Sequence, residues 1–162
     1  MFIYSVRAST VRLVLCIALC FVVLGALLSI GAADTVYASA DGTEINYGGI
    51  KTNEDRVEFI SGFGIKVNET PVAEETFNLP ENFDRVIGGY NQLQKEQGLD
   101  LEKYKNKRVT HYAYEVTNYD HDGMVYVNLI VYRNRIIAAD ISSAAGGGFI
   151  TPISKVDTSK IK

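Results

Sequence analysis

Beyond residue 20 the chain contains no cysteine, because its only two, Cys16 and Cys20, both lie inside one apolar run near the start. Whatever follows that run therefore has no disulfide framework and no thiolate metal site. An excess of basic residues is also missing. From Asp34 onward lie all 19 acidic residues and 14 of the 16 basic ones, only Arg7 and Arg12 preceding it, a net charge of −5. A mildly acidic domain of this kind argues against nucleic acid as a partner. Tryptophan is absent, yet ten tyrosines, seven phenylalanines and 47% apolar residues supply material for a packed core and speak against global disorder.

What is present first is the apolar run itself. Residues 13–33 are 21 consecutive residues without a charge, which at helical rise reach about 30 Å, the thickness of a bilayer core. Arg7 and Arg12 precede the run and Asp34 follows it, so the positive-inside rule puts residues 1–12 in the cytoplasm and the rest outside. The expectation is a cell-membrane protein with a single pass, an N-terminus in the cytoplasm and an extracytoplasmic C-terminal domain. Ala38-Ser39-Ala40 offers a signal-peptidase site, with Gly31-Ala32-Ala33 a poorer one, so secretion after cleavage near Ala40 is the alternative. The length of the run favours a retained anchor, or an uncleaved signal, over cleavage. No cysteine follows in a lipoprotein position, so lipid attachment is not indicated.

Residues 34–50 are small, polar and glycine-containing and read as a tether with little regular structure. Residues 51–150 then make one domain. Thr52 and the acids after it start a short helix over 53–61, and two short strands near a sheet edge follow, one around Ile65 and Val67 and one ending at Phe77-Asn78-Leu79-Pro80. The best-defined helix carries Phe83, Val86, Ile87, Tyr90 and Leu93 at spacings of three and four, and Gly98 with Leu99 after it fits an αL cap. Three strands, 108–119, 124–133 and 136–142, form an antiparallel meander, turning at Asp120-His121-Asp122-Gly123 and at Arg133-Asn134. Thr110, Tyr112, Tyr114 and Val116 share one face of the first strand, and Val125, Val127, Leu129 and Val131 one face of the second. After the flexible Gly146 to Gly148 and the apolar Phe149-Ile150, residues 151–162 read as a loosely held tail. The fold class expected is α+β, an N-terminal transmembrane helix and then one main helix packed on the meander in a cystatin-like element order.

Parts of this pattern resemble a known family. The runs are Asn82-Phe83-Asp84, Tyr90-Asn91-Gln92-Leu93-Gln94-Lys95-Glu96-Gln97-Gly98-Leu99-Asp100-Leu101, Tyr104, Tyr112-Ala113-Tyr114, Asn118-Tyr119 and Ile137-Ala138-Ala139-Asp140, with the opening Tyr4-Ser5-Val6-Arg7-Ala8-Ser9-Thr10. They resemble small, membrane-anchored bacterial proteins characterised only as a domain of unknown function, and Tyr-Asn-x-Leu-Gln-x-x-Gln-Gly is the most specific part. The resemblance implies an architecture and assigns no activity. Where such relatives have glycine after Tyr104-Lys105, this chain has Asn106, which should serve the same turn.

Candidate chemistry is sparse. Asp120 and Asp122 place two carboxylates beside His121, the weak beginnings of a cation site, but the later glutamate of a calcium loop is missing and a plain turn explains the residues. No metal site is assigned. His111 lies mid-strand without a serine nucleophile motif nearby, so no catalytic residue is assigned either. The glycine triplet lacks the Lys-Ser/Thr of a phosphate loop, and no cofactor is expected. Residues 53–84 hold eight acids against two basic residues, and residues 85–108 six basic residues against three acids. Lys103, Lys105, Lys107 and Arg108, with Tyr112 and Tyr114, are the candidate binding residues. The partners expected are the membrane through residues 13–33 and either a protein or an anionic envelope polymer. The function expected is a non-enzymatic binding or regulatory module at the bacterial cell surface; the alternative is a small extracytoplasmic hydrolase or metal-dependent enzyme.

Overall fold

A computed structural model describes residues 37–38, 44–145 and 148–162. The uncharged run, Arg7, Arg12, both cysteines and two glycines of the triplet lie outside the described residues. Among those described, no helix is long and apolar enough to cross a membrane.

Local chemistry sets most element boundaries. The Thr52 hydroxyl accepts from Asp55 N at 3.2 Å while the Asp55 carboxylate accepts from Thr52 N at 2.7 Å, a reciprocal cap that starts α1 (Asn53–Ser61) where the sequence expects it. Asp84 accepts from Val86 N and Ile87 N to start α2 (Arg85–Lys95), so Phe83 precedes this helix. Gly98 ends the segment at φ +80° and Leu99 N reaches back to Gln94 O at 3.1 Å. Asn106 takes φ +61° in the turn before Arg108, the conformation that asparagine tolerates in place of glycine.

The strands are a short ribbon of β1 (Tyr37–Ala38) and β2 (Glu44–Ile45), and a five-stranded antiparallel sheet. The sheet runs in chain order through β3 (Ala73–Asn78), β4 (Arg108–Glu115), β5 (Tyr126–Tyr132), β6 (Arg135–Ser143) and β7 (Phe149–Pro152). The class is α+β and β4 to β6 form the expected meander. Its first strand ends at Glu115, short of Tyr119, and beyond it Asn118 turns inward, its side chain bonding Lys66 N at 2.7 Å and Gly64 O at 2.9 Å. In the tight turn between β5 and β6 it is Arg133, at φ +54°, and not asparagine that takes the left-handed conformation. Of the two strands expected near the edge, β3 forms, while Val67 makes only an isolated bridge to Val116.

Alternation divides the sheet into two faces. On one, Tyr114, Val127, Leu129, Ala139 and Ile141 pack with Ile60 of α1 and with Tyr47, Ile50, Ile65, Leu99 and Ile153. On the other, Val109, Ile130, Ile137 and Ala138 pack with Leu79, Leu101, Phe83 and Tyr90. The expected single helix over one face is thus corrected: α1 covers the face carrying Tyr112 and Tyr114, and α2 with its flanks covers part of the other. Neither end of the domain is loose. Tyr47 and Ile153 have no exposed surface, Tyr47 O accepts from Ile136 N, and Lys162 N donates to Asn118 O at 2.8 Å. The tail expected to be loosely held, residues 151–162, instead supplies a core side chain, Ile153, and its first two residues belong to β7, the sheet's fifth strand.

The outer side of β6 is closed piece by piece. β7 pairs with it only from Asp140 to Ser143. Where β7 stops, Ala139 N donates to Gln94 Oε1 at 2.9 Å and Ala139 O accepts from Gln97 Nε2 at 2.6 Å. Further on, Tyr47 and Gly48 meet Ile136 and Arg135. Two buried glutamine side chains thus stand in for the missing strand, since an unpaired buried N–H or C=O is costly. Among the described residues Gln94 Nε2 is left buried without a partner.

Candidate functional site

α2 covers only part of its face. Beside the exposed Glu75 of β3, that face carries a row of half-exposed polar side chains, His111 on β4, Asn128 on β5 and Ser142 on β6, with Asp140 buried among them. They are joined. His111 Nε2 lies 3.2 Å from Asn128 Oδ1, Asn128 Nδ2 donates to Asp140 Oδ1 and to Ser142 Oγ at 2.9 Å each, and the Tyr90 hydroxyl of α2 donates to Asp140 Oδ2 at 2.7 Å. One helix and all three meander strands meet here.

The chemistry of the acceptors fixes directions along this chain. A carboxylate only accepts, so Asn128 must present its NH₂ to Asp140 and its oxygen to His111. His111 then donates through Nε2, and the lone pair of the neutral ring is on Nδ1. Burial raises the Asp140 pKa above the ordinary carboxylate value, against the lowering effects of hydrogen bonds from Tyr90 and Asn128 and of the nearby His111. Burial also raises the Tyr90 pKa well above its ordinary value, and the charge of Asp140 adds to this. The result is a chain of oriented donors and acceptors that ends at His111, with Nδ1 the nitrogen of the neutral ring not used in it.

The sequence-derived candidates fall elsewhere. Tyr114 is fully buried; its hydroxyl accepts from Arg56 Nε at 2.6 Å and donates to Asn53 Oδ1 at 2.9 Å, so it is a core residue. Tyr112 is half-buried beneath the Arg56 guanidinium, 3.7 Å from its ring centroid. Lys103, Lys107 and Arg108 are exposed around the turn into β4. Lys105 is held by Glu102 at 3.6 Å and lies over the Phe83 ring, and Glu102 also takes Lys95 at 3.2 Å, so the basic patch is partly neutralised. Asp120 pairs with Lys162 at 2.7 Å, which with its hydrogen bond lowers the Asp120 pKa. Asp120 and Asp122 are both exposed in their turn, and among the described residues no three His, Cys, Asp or Glu side chains are grouped as metal ligands. His121 packs edge-on against Phe149 at 5.2 Å in a cavity of about 280 Å³ that Tyr119, Lys155 and Lys160 also line. Lys155 is already engaged there by Glu96 at 2.8 Å.

Asp140, Asn128 and Tyr90 are not among the sequence-derived candidates. A signal existed: Asp140 interrupts the apolar run Ile136 to Ile141, and Asn128 interrupts the run from Val125 to Val131. A polar residue inside a buried strand needs a partner.

Tyr90, His111, Asn128 and Asp140 all fall within residues 59–141, which match a family model described as a domain of unknown function, DUF4830. The chain belongs to this family. No curated protein and no solved structure matches it. The DUF4830 segment includes the last three residues of α1, then β3, α2 and β4 to β6 up to Ile141. The run Tyr90 to Gly98 inside it has a structural account: Tyr90 holds Asp140, Asn91 bonds Asp100 Oδ1 at 3.0 Å and Leu101 N at 2.7 Å, Gln94 and Gln97 close the β6 edge, and Gly98 makes the turn.

Proposed function

We propose that this DUF4830 protein is a membrane-anchored, extracytoplasmic, non-enzymatic binding or regulatory module of the bacterial cell surface, whose polar row is the surface it presents. The observation that carries this is the hydrogen-bonded chain from Tyr90 through Asp140 and Asn128 to His111, which orients donors and acceptors on a half-open face before any ligand arrives. The location rests on the uncharged residues 13–33 with Arg7 and Arg12 before them and Asp34 after them. Resemblance to membrane-anchored bacterial relatives points the same way, and the anchor is retained in preference to cleavage near Ala40. The partner is a protein or an anionic envelope polymer; the polymer would be met by Lys103, Lys107 and Arg108. Reporter fusions and fractionation test the location. A reporter at the C-terminus that works only inside the cell sinks the orientation, and a mature N-terminus at Asp41 in the medium sinks the anchor.

One observation favours a second reading, a small extracytoplasmic hydrolase or metal-dependent enzyme: the lone pair on His111 Nδ1 is what a general base or metal ligand needs. His111→Gln separates the two, because glutamine keeps a polar side chain and loses the base. Under the binding reading a cellular phenotype survives His111→Gln at normal protein level and is lost with Asn128→Ala. Loss with both variants at normal level favours the enzyme.

A further inference from the structure

The two sides of the sheet are finished differently. β6 is closed by β7, two glutamines and the segment around Tyr47, whereas β3 is the last strand on its side and no strand among the described residues pairs with its outer edge. β3 keeps one register with β4 over all six residues from Ala73 to Asn78, and five of those six are exposed. In an antiparallel pair alternate residues turn their N–H and C=O inward. Leu79 N donates to Lys107 O, in step with that register, so Ala73, Glu75 and Phe77 bond β4 while Glu74, Thr76 and Asn78 direct their backbone groups outward.

Edges that exist only to resist pairing are short, bulged, covered or armed with lysine or proline. β3 is none of these: Pro71 and Pro80 lie beyond its ends, its register with β4 is unbroken, and it carries no basic residue. Its charges are Glu74 and Glu75, with Glu69 and Glu81 on either side, in a stretch (residues 53–84) of eight acids against two basic residues. Val72, at 55% exposure, and Phe77, at 39%, give apolar footholds near the two ends.

We infer that β3 accepts an extended, basic peptide segment as a sixth strand. Outward N–H and C=O groups supply the ladder, and lysine or arginine side chains of the added strand meet Glu74 on one face or Glu75 on the other. A second copy of this chain is a poor occupant, because it would bring the same glutamates onto one ribbon. This goes beyond the polar-row reading and does not use His111 or Asn128, so either can fail while the other stands.

The test uses the full chain and two short synthetic peptides, one alternating lysine with valine and one alternating glutamate with valine. Fluorescence anisotropy is expected to show binding of the lysine peptide only, with slowed amide hydrogen exchange at Glu74, Thr76 and Asn78. Thr76→Pro removes one outward N–H and leaves the inward ladder, so it is expected to weaken binding about tenfold or more with little change in thermal unfolding. Glu74→Lys with Glu75→Lys, both on exposed positions, is expected to switch the preference to the glutamate peptide. Absence of binding to the folded wild-type chain overturns the inference. So does equal binding of both peptides, or binding unaffected by Thr76→Pro, or protection confined to residues away from β3.

Discussion

Asp140 is buried almost completely, and its partners are neutral donors plus a histidine at one remove. Burial holds its pKa above the ordinary carboxylate value. A folded state that keeps a proton longer than the unfolded chain gains stability below the ordinary value. It loses that contribution as pH rises through the raised one. Asparagine at this position does not titrate. In urea unfolding, the lead of the wild type over Asp140→Asn is therefore expected to be greatest in acid and to shrink as pH rises towards neutrality. The carboxylates Asp55, Asp120 and Asp157, whose pKa values are lowered, work in the opposite sense, but they are common to both proteins and cancel in the comparison. A lead independent of pH between about 4 and 7 would refute the assignment.

The apolar spacing on α2 predicts Phe83, Val86, Ile87, Tyr90 and Leu93 as its inner stripe, yet Val86 is 78% exposed and the helix's buried residues are Asn91 and Gln94. Phe83 and Tyr90 do reach the core. The helix is rotated towards polar contacts because β7 ends beside Ala139 and the strand edge there needs a donor and an acceptor. Gln94→Ala, which leaves Ala139 N–H buried without its acceptor, is expected to cost about 1–3 kcal/mol, and Gln97→Ala a similar amount. Lys95→Ala, one residue along and exposed, is expected to cost below about 1 kcal/mol. Chemical denaturation compares them, and equal midpoints for Gln94→Ala and Lys95→Ala would mean that the glutamines do not close the sheet.

In the whole molecule, segments far apart in the chain share one core: Tyr47 and Ile153 are both fully buried in it, and the Tyr47 hydroxyl donates to Gln97 O at 3.2 Å. Ending the chain after Pro152 removes Ile153 and the bond from Lys162 to Asn118. The loss of the buried isoleucine alone is expected to cost about 2–5 kcal/mol in thermal or chemical unfolding. A truncated chain as stable as the full one would make the tail dispensable. The sequence by itself determined what local chemistry controls: the bounds of α1 through its Thr52 cap, the glycine turn at Gly98, the left-handed Asn106, the meander and the apolar face of Tyr114, Val127 and Leu129. Only the tertiary structure decided which helix lies on which face, which polar residues seal β6, that the supposed tether and tail enter the core, and that His111, Asn128 and Asp140 form one chain. These depend on partners such as Tyr90 and Asp140, fifty residues apart, and no periodicity in a single segment records which distant strand edge or buried carboxylate a side chain will be called on to satisfy.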